Sequence, residues 1–198
     1  MGSAKAVVIT GTPGVGKSTV ARLLAQRLGA ELLELGELVA KEGLHEGLDP
    51  ETGSLLVDLD VLAKRVEEIL SSRPGGLIIV VGHYAHDVVP REHLAMAFVL
   101  RRNPLELREV LVARGYSGRK LLENLQAEVL DVCLVEAVEA YGPELVYEVD
   151  VTGREPEDVA SEIFSALRSG RGGRVGIVDW LGMLERQGLL EELFPSEL

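Results

Sequence analysis

Nine residues near the N-terminus, Gly11-Thr12-Pro13-Gly14-Val15-Gly16-Lys17-Ser18-Thr19, stand between an apolar run at 4–10 and a run of helical period at 18–28. Their spacing is G-x-x-x-x-G-K-[ST], and the glycines let the backbone turn tightly enough for successive N–H groups to face one anion. The apolar run reads as a short buried strand, and Val20, Leu23, Leu24, Ala25 and Leu28 recur on one helical face. Strand, loop and helix therefore follow in the order that a phosphate cradle requires. In such a cradle Gly14 and Gly16 bring backbone amides against the phosphates, and Lys17 reaches the β and γ phosphates of ATP. Ser18 offers its hydroxyl to Mg²⁺, and Thr19 bonds a phosphate oxygen.

Size and charge narrow the setting. A chain of 198 residues fits one domain with mobile arms. It has no apolar run of membrane-spanning length and no signal-peptide stretch, so a cytoplasmic location is expected. One cysteine, Cys133, rules out an internal disulfide, and its neighbours Val132, Leu134 and Val135 point to core packing. The net charge of −12 argues against direct nucleic-acid binding, because phosphate backbones select basic faces. Charge is also segregated. Residues 101–120 carry six basic side chains against Glu106 and Glu109, whereas 31–60 carry nine acidic ones against Lys41 alone.

Further along, strands are expected near 31–35, 77–81, 95–100 and 145–149, alternating with helices at 37–42, 61–70, 104–113, 119–140 and 156–167. Gly43, Gly47, Asp49-Pro50 and Gly53 mark an inserted arm read as a loop. With the first strand this makes an α/β fold: a parallel five-stranded sheet with helices on both faces, and ligands at the carboxyl ends of the strands. Residues 170–198 form a tail that Trp180 packs against the domain spanning 1–169.

The phosphate loop, the arm, Arg114-Gly115-Tyr116 and the turn Asp150-x-Thr152-Gly153 occur in the order found in adenylate kinases, which the chain resembles over residues 4–168. Gly82-His83-Tyr84, Val99-Leu100-Arg101 and the Asn124-x-x-x-Glu128 spacing resemble one branch, the sixth adenylate kinase isoenzyme and its archaeal counterparts. The resemblance implies a P-loop NTPase core with a monophosphate-binding arm at about 35–58 and a short lid at about 113–123. It implies a broad-specificity nucleoside monophosphate kinase that uses ATP and Mg²⁺ and accepts AMP or another monophosphate. ATP hydrolysis, assistance in late small-ribosomal-subunit maturation and a basic small-subunit ribosomal protein as partner are implied as well. An alternative is an ATP-switched assembly factor with little kinase activity; a nucleotide-binding module without turnover is a third.

Site residues follow from the two together. Arg114 matches the family's lid arginine and would contact ATP during transfer, with Arg119 and Lys120 beside it. Arg101 and Arg102 end a buried strand where substrate is expected and are candidates for the acceptor phosphate. Gly36, Glu37 and Leu38 would shape the acceptor pocket, and Gly153 would let adenine approach the backbone. Asn124 and Glu128, at i and i+4, are either a solvated helix stripe or functional.

Two departures stand out. Phosphate-loop enzymes usually hold Mg²⁺ with an acid at the end of the third strand, and the branch often shows Asp-x-His there. This chain runs from Val81 into Gly82-His83-Tyr84-Ala85-His86-Asp87, leaving Asp87 as a distant substitute. His83 either orients an attacking water or fixes the turn; a metal site with His86 lacks a third ligand. The arm also lacks the arginine that other adenylate kinases use for the AMP phosphate, and its acidity suits a basic polypeptide.

Overall fold

The computed structural model describes residues 3–50 and 53–194. Its elements are β1 (Lys5–Thr10), α1 (Lys17–Leu28), β2 (Glu31–Glu34), α2 (Leu35–Glu42), β3 (His45–Leu48), β4 (Leu55–Val57), α3 (Leu59–Ser72), β5 (Leu77–Val81) and α4 (Ala85–Val88). They continue with β6 (Leu94–Arg101), α5 (Pro104–Ala113), α6 (Gly118–Val129), α7 (Val132–Tyr141), β7 (Val146–Asp150), α8 (Pro156–Ser169), α9 (Trp180–Gln187) and α10 (Leu190–Leu193).

Five strands form one sheet in the order β2-β5-β1-β6-β7, and every neighbouring pair is parallel. β1 lies at the centre and is buried from Ala6 to Thr10, which is why its sequence is an unbroken apolar run rather than an alternating one. Val7 and Ile9 face a core built with Leu24 of α1, Leu107 of α5, Leu125 of α6 and Ile163 of α8. Ala6 and Val8 face the opposite core, with Leu62 and Val66 of α3 and Leu134 of α7. Helices thus cover both faces, and the sheet's carboxyl edge is left to hold a ligand.

Local signals set the boundaries. Gly16 and Gly29, both left-handed, bracket α1. Asp58 caps α3 by accepting from the Val61 amide, and Asn103 with Pro104 opens α5. The region read as a loop contains the antiparallel hairpin β3–β4. Strands of four and three residues separated by glycine and proline carry too little periodicity to be seen.

The single helix expected over 119–140 is two helices. Asp131 takes a left-handed φ of 58° and breaks the run between α6 and α7, and its carboxylate reaches the guanidinium of Arg101. The tail returns over the sheet edge: Glu148 accepts from the Ile177 amide at 2.8 Å, and Trp180 and Leu184 enter the core. Among the described residues no helix is long and apolar enough to cross a membrane.

Candidate active site

The phosphate loop leaves the carboxyl end of β1 and closes on the first turn of α1. A Cβ at Gly11, where φ is 132°, would lie 2.4 Å from the Leu100 carbonyl oxygen, so the loop passes β6 too closely for any side chain. At Gly14, φ 94°, the same atom would strike Leu107 Cδ1 of α5 at 2.8 Å. No side chain caps α1, which leaves its first amides to an anion lying in the loop. Thr19 is exposed on the rim of that loop.

Lys17 folds back over the loop, donating from Nζ to the carbonyls of Gly11 at 2.6 Å and Thr12 at 2.9 Å. Burial of the ammonium lowers its pKa to about 8; Arg114 acts in the same direction and Glu128 against it. A triphosphate would replace two neutral carbonyls with several anionic oxygens, for which the lysine is better matched. Ser18 Oγ donates to Glu34 Oε2 at 2.6 Å, and Arg22 Nη2 donates to the other oxygen of the same carboxylate at 2.6 Å.

Recesses open on both sides of the loop. One is a groove lined by Gly14, Gly16, Thr19, Arg102, Arg114 and Arg154. Gly153, with φ 63°, sits in the turn between Val151 and Arg154 and donates its amide to Glu106. The other is a cleft of about 810 Å³ to which the arm contributes Glu46 and Leu56, while Thr12 and Pro13 form its floor. His83, Tyr84, Tyr116, Lys120 and Asn124 complete its walls.

Some expected residues lie elsewhere. Arg101 is 1% exposed; its Nε donates to Glu128 Oε1 at 2.9 Å, its Nη1 to Glu148 Oε1 at 2.8 Å and its Nη2 to the Glu128 carbonyl and to Asp131. With its fork committed to buried acceptors, Arg101 is corrected from a phosphate ligand to a structural cation. Gly36 lines the cleft, but Leu38 lies on the inward stripe with Leu35 and Val39 and belongs to the core. Glu37, on the first turn of α2, is exposed outside the cleft lining. Asp87 lines a different groove with Asp60, Lys64 and Glu67, so it does not serve the cradle.

His83 stands at the open wall of the cleft with its ring edge-on to Tyr84, centroids 4.3 Å apart. The turn is held through its backbone, whose carbonyl accepts from Thr10 Oγ1 at 3.1 Å, which leaves the ring to the cleft. Partial desolvation, then the Lys17 ammonium and His86, hold its pKa below the usual value, so the imidazole is neutral at pH 7. Cys133 also borders the cleft, but burial raises its thiol to about 11 and leaves it without nucleophilic character.

Comparison with known proteins agrees with this geometry. The family model described as "AAA domain" matches residues 7–131. A protein named "Putative adenylate kinase" from Thermococcus onnurineus is 44% identical over 174 residues, 88% of this chain and 90% of that protein. Another of the same name from Methanothermobacter thermautotrophicus is 44% identical over 178 residues, 90% of this chain and 98% of that one. The chain belongs to the adenylate kinase-like family. Among solved structures, a shikimate kinase from Acinetobacter baumannii in complex with shikimate has a TM-score of 0.57 at 21% identity, covering 84% of this chain and 94% of that one. A gluconokinase from Sinorhizobium meliloti has a TM-score of 0.55 at 21% identity over 85% and 94%. These two share the P-loop α/β fold.

Within this adenylate kinase-like chain, several site residues escaped sequence reasoning. Arg154 lines the loop-side groove, and nothing in its local spacing marks it; Arg102, expected with Arg101 at the acceptor phosphate, lines that same groove instead. Glu128 is 1% exposed rather than part of a solvated stripe, while its helical neighbour Asn124 reaches the cleft. Glu34 looked like one more acid in an acidic segment; its signal is its place at the last residue of a strand that ends beside the loop.

Proposed function

We propose that this protein transfers the γ-phosphoryl group of ATP to a nucleoside monophosphate, AMP among them. One observation carries the reading: the phosphate loop is a shared wall, with Gly14, Gly16 and Thr19 facing one recess and Thr12 and Pro13 facing another. An enzyme that only hydrolyses ATP needs the first recess alone. The second, at about 810 Å³, has the size of a small-molecule site.

In this reading ATP lies in the groove with its triphosphate in the loop, and the monophosphate enters the arm-side cleft. A phosphate oxygen of the acceptor attacks the γ-phosphorus, the bond to the bridging oxygen breaks, and ADP leaves on the donor side. Catalysis is mostly alignment and charge neutralisation. Lys17 and Arg114 supply positive charge to the moving group, and the α1 amides hold the β-phosphate. Mg²⁺ bound to the nucleotide would add charge neutralisation on the β and γ oxygens, and Ser18 with Glu34 offers it hard oxygen donors. Closure of residues 113–123 over the groove would exclude water. The test is ADP production from ATP with a panel of monophosphates. At least one must accelerate it well above ATP alone; equal rates with and without all of them defeat the proposal.

A second reading, taken from the sixth-isoenzyme resemblance, adds ATP hydrolysis and a basic small-subunit ribosomal protein in ribosome maturation. Support comes from the neutral His83 ring at the cleft, suited to accepting a hydrogen bond from water, and from the acidic arm, where Glu37 and Glu46 are exposed. Salt-sensitive binding of a basic ribosomal-protein tail supports it, and no binding at low salt counts against it.

A further inference from the structure

The strand-end acid that phosphate-loop enzymes use for the divalent cation is missing after β5, and the structure gives a steric reason. A Cβ at Gly82 would lie 2.8 Å from Leu35 Cδ1 and 3.2 Å from Leu35 Cβ. Leu35 is the first residue of α2, is fully buried and follows β2 with no intervening loop. The β2–α2 junction therefore occupies the space in which a side chain at 82 would begin.

The same junction delivers a carboxylate. Glu34, last in β2, pairs in register with Val81, last in β5, so it ends on the level where the missing acid is sought. It accepts from Ser18 Oγ at 2.6 Å. With its proton directed at Glu34, the serine hydroxyl turns its lone pairs elsewhere, as an oxygen ligand to a cation must. Two other candidate acids for this role are placed otherwise. Glu128 accepts from Thr12, Arg101, the Arg102 amide and Trp180, while Asp87 lines a separate groove.

We propose that Glu34 is the carboxylate that holds the divalent cation of ATP against Ser18, acting through the cation's water shell. The inference rests on ATP occupying the loop, as in the proposed function. Among the described residues no group of three or more His, Cys, Asp or Glu side chains could hold a metal ion, so phosphate oxygens and water complete the shell. Arg22 is the counter-ion that yields to the cation. Its side chain is 59% exposed, so the guanidinium can swing into solvent while Glu34, 15% exposed, stays beside Ser18.

The test is calorimetric ATP binding, with magnesium and with EDTA, to wild type, Glu34→Gln and Arg22→Gln. In wild type magnesium tightens ATP binding. Glu34→Gln reduces that gain by about tenfold or more, the size expected when a partner of the cation's shell is lost, and does not weaken metal-free binding, because removing a carboxylate relieves its repulsion of the bare triphosphate. Arg22→Gln, which removes the competing cation, increases the gain. A magnesium gain retained in Glu34→Gln, or an equal loss with and without magnesium, overturns the proposal and marks Glu34 as a brace for α1. If Glu34→Gln fails to fold, Arg22→Gln decides: an unchanged or smaller gain refutes the role. Wild type that binds no ATP in either medium refutes the kinase reading itself, a result distinct from ATP binding that ignores Glu34.

Discussion

Thr12 Oγ1 donates a 2.6 Å hydrogen bond to Glu128 Oε2, tying the floor of the phosphate loop to a helix 116 residues later in the chain. The other oxygen of Glu128 accepts from Arg101 Nε at 2.9 Å and Trp180 Nε1 at 3.2 Å. A single buried carboxylate thus joins the loop, β6, α6 and the tail. Replacing Arg101 by Ala leaves Glu128 and Glu148 buried without their cation and is expected to cost about 3–5 kcal/mol in denaturant unfolding. Arg101→Lys does not restore the loss, because three buried carboxylate and carbonyl acceptors need a planar fork.

Lys17→Ala removes the ammonium folded over the loop. Phosphoryl transfer is expected to fall by at least about 10²-fold, the scale of losing one positioned charge donor, while circular dichroism stays that of wild type. Retained activity would show that the loop does not grip the transferred group.

The same lysine predicts a proton linkage. Burial lowers its pKa from 10.5 to about 8, and the anionic oxygens of a bound triphosphate would raise it again. At pH 8.5 binding should therefore take up a proton, and ATP affinity should weaken as pH rises through about 8. Calorimetry in two buffers of different ionisation enthalpy reads the uptake directly. For stability the sign is opposite: between pH 8 and 10.5 the unfolded chain binds more protons, so this group's contribution rises with pH.

Restoring an acid after β5 should fail. Gly82→Asp places a Cβ against Leu35, and the overpacking is expected to cost about 1–3 kcal/mol without improving transfer. Thermal unfolding beside a rate measurement checks both halves.

How far the sequence reaches is clear from particular residues. The phosphate loop was readable because its chemistry lies in nine consecutive residues, and the buried strands because parallel-sheet strands are apolar throughout. Arg101 was misread: an arginine at a strand end looks solvent-facing until Glu128, Asp131 and Glu148, at 27, 30 and 47 residues' distance, close around it. Asp131 breaks a helix that periodicity continues, since the partner that draws its carboxylate aside is Arg101. Glu34 went unnoticed for a related reason: its role depends on the register of β2 against β5, which no local pattern encodes.

The central claim is that the terminal phosphoryl group moves between two recesses that share the loop. Incubation with ATP labelled at the γ-phosphorus, with and without AMP, follows that group directly. The account predicts that AMP diverts the label into newly formed ADP, at a rate well above its release as inorganic phosphate. Label appearing only as inorganic phosphate, at the same rate with or without AMP or any other monophosphate, would contradict it.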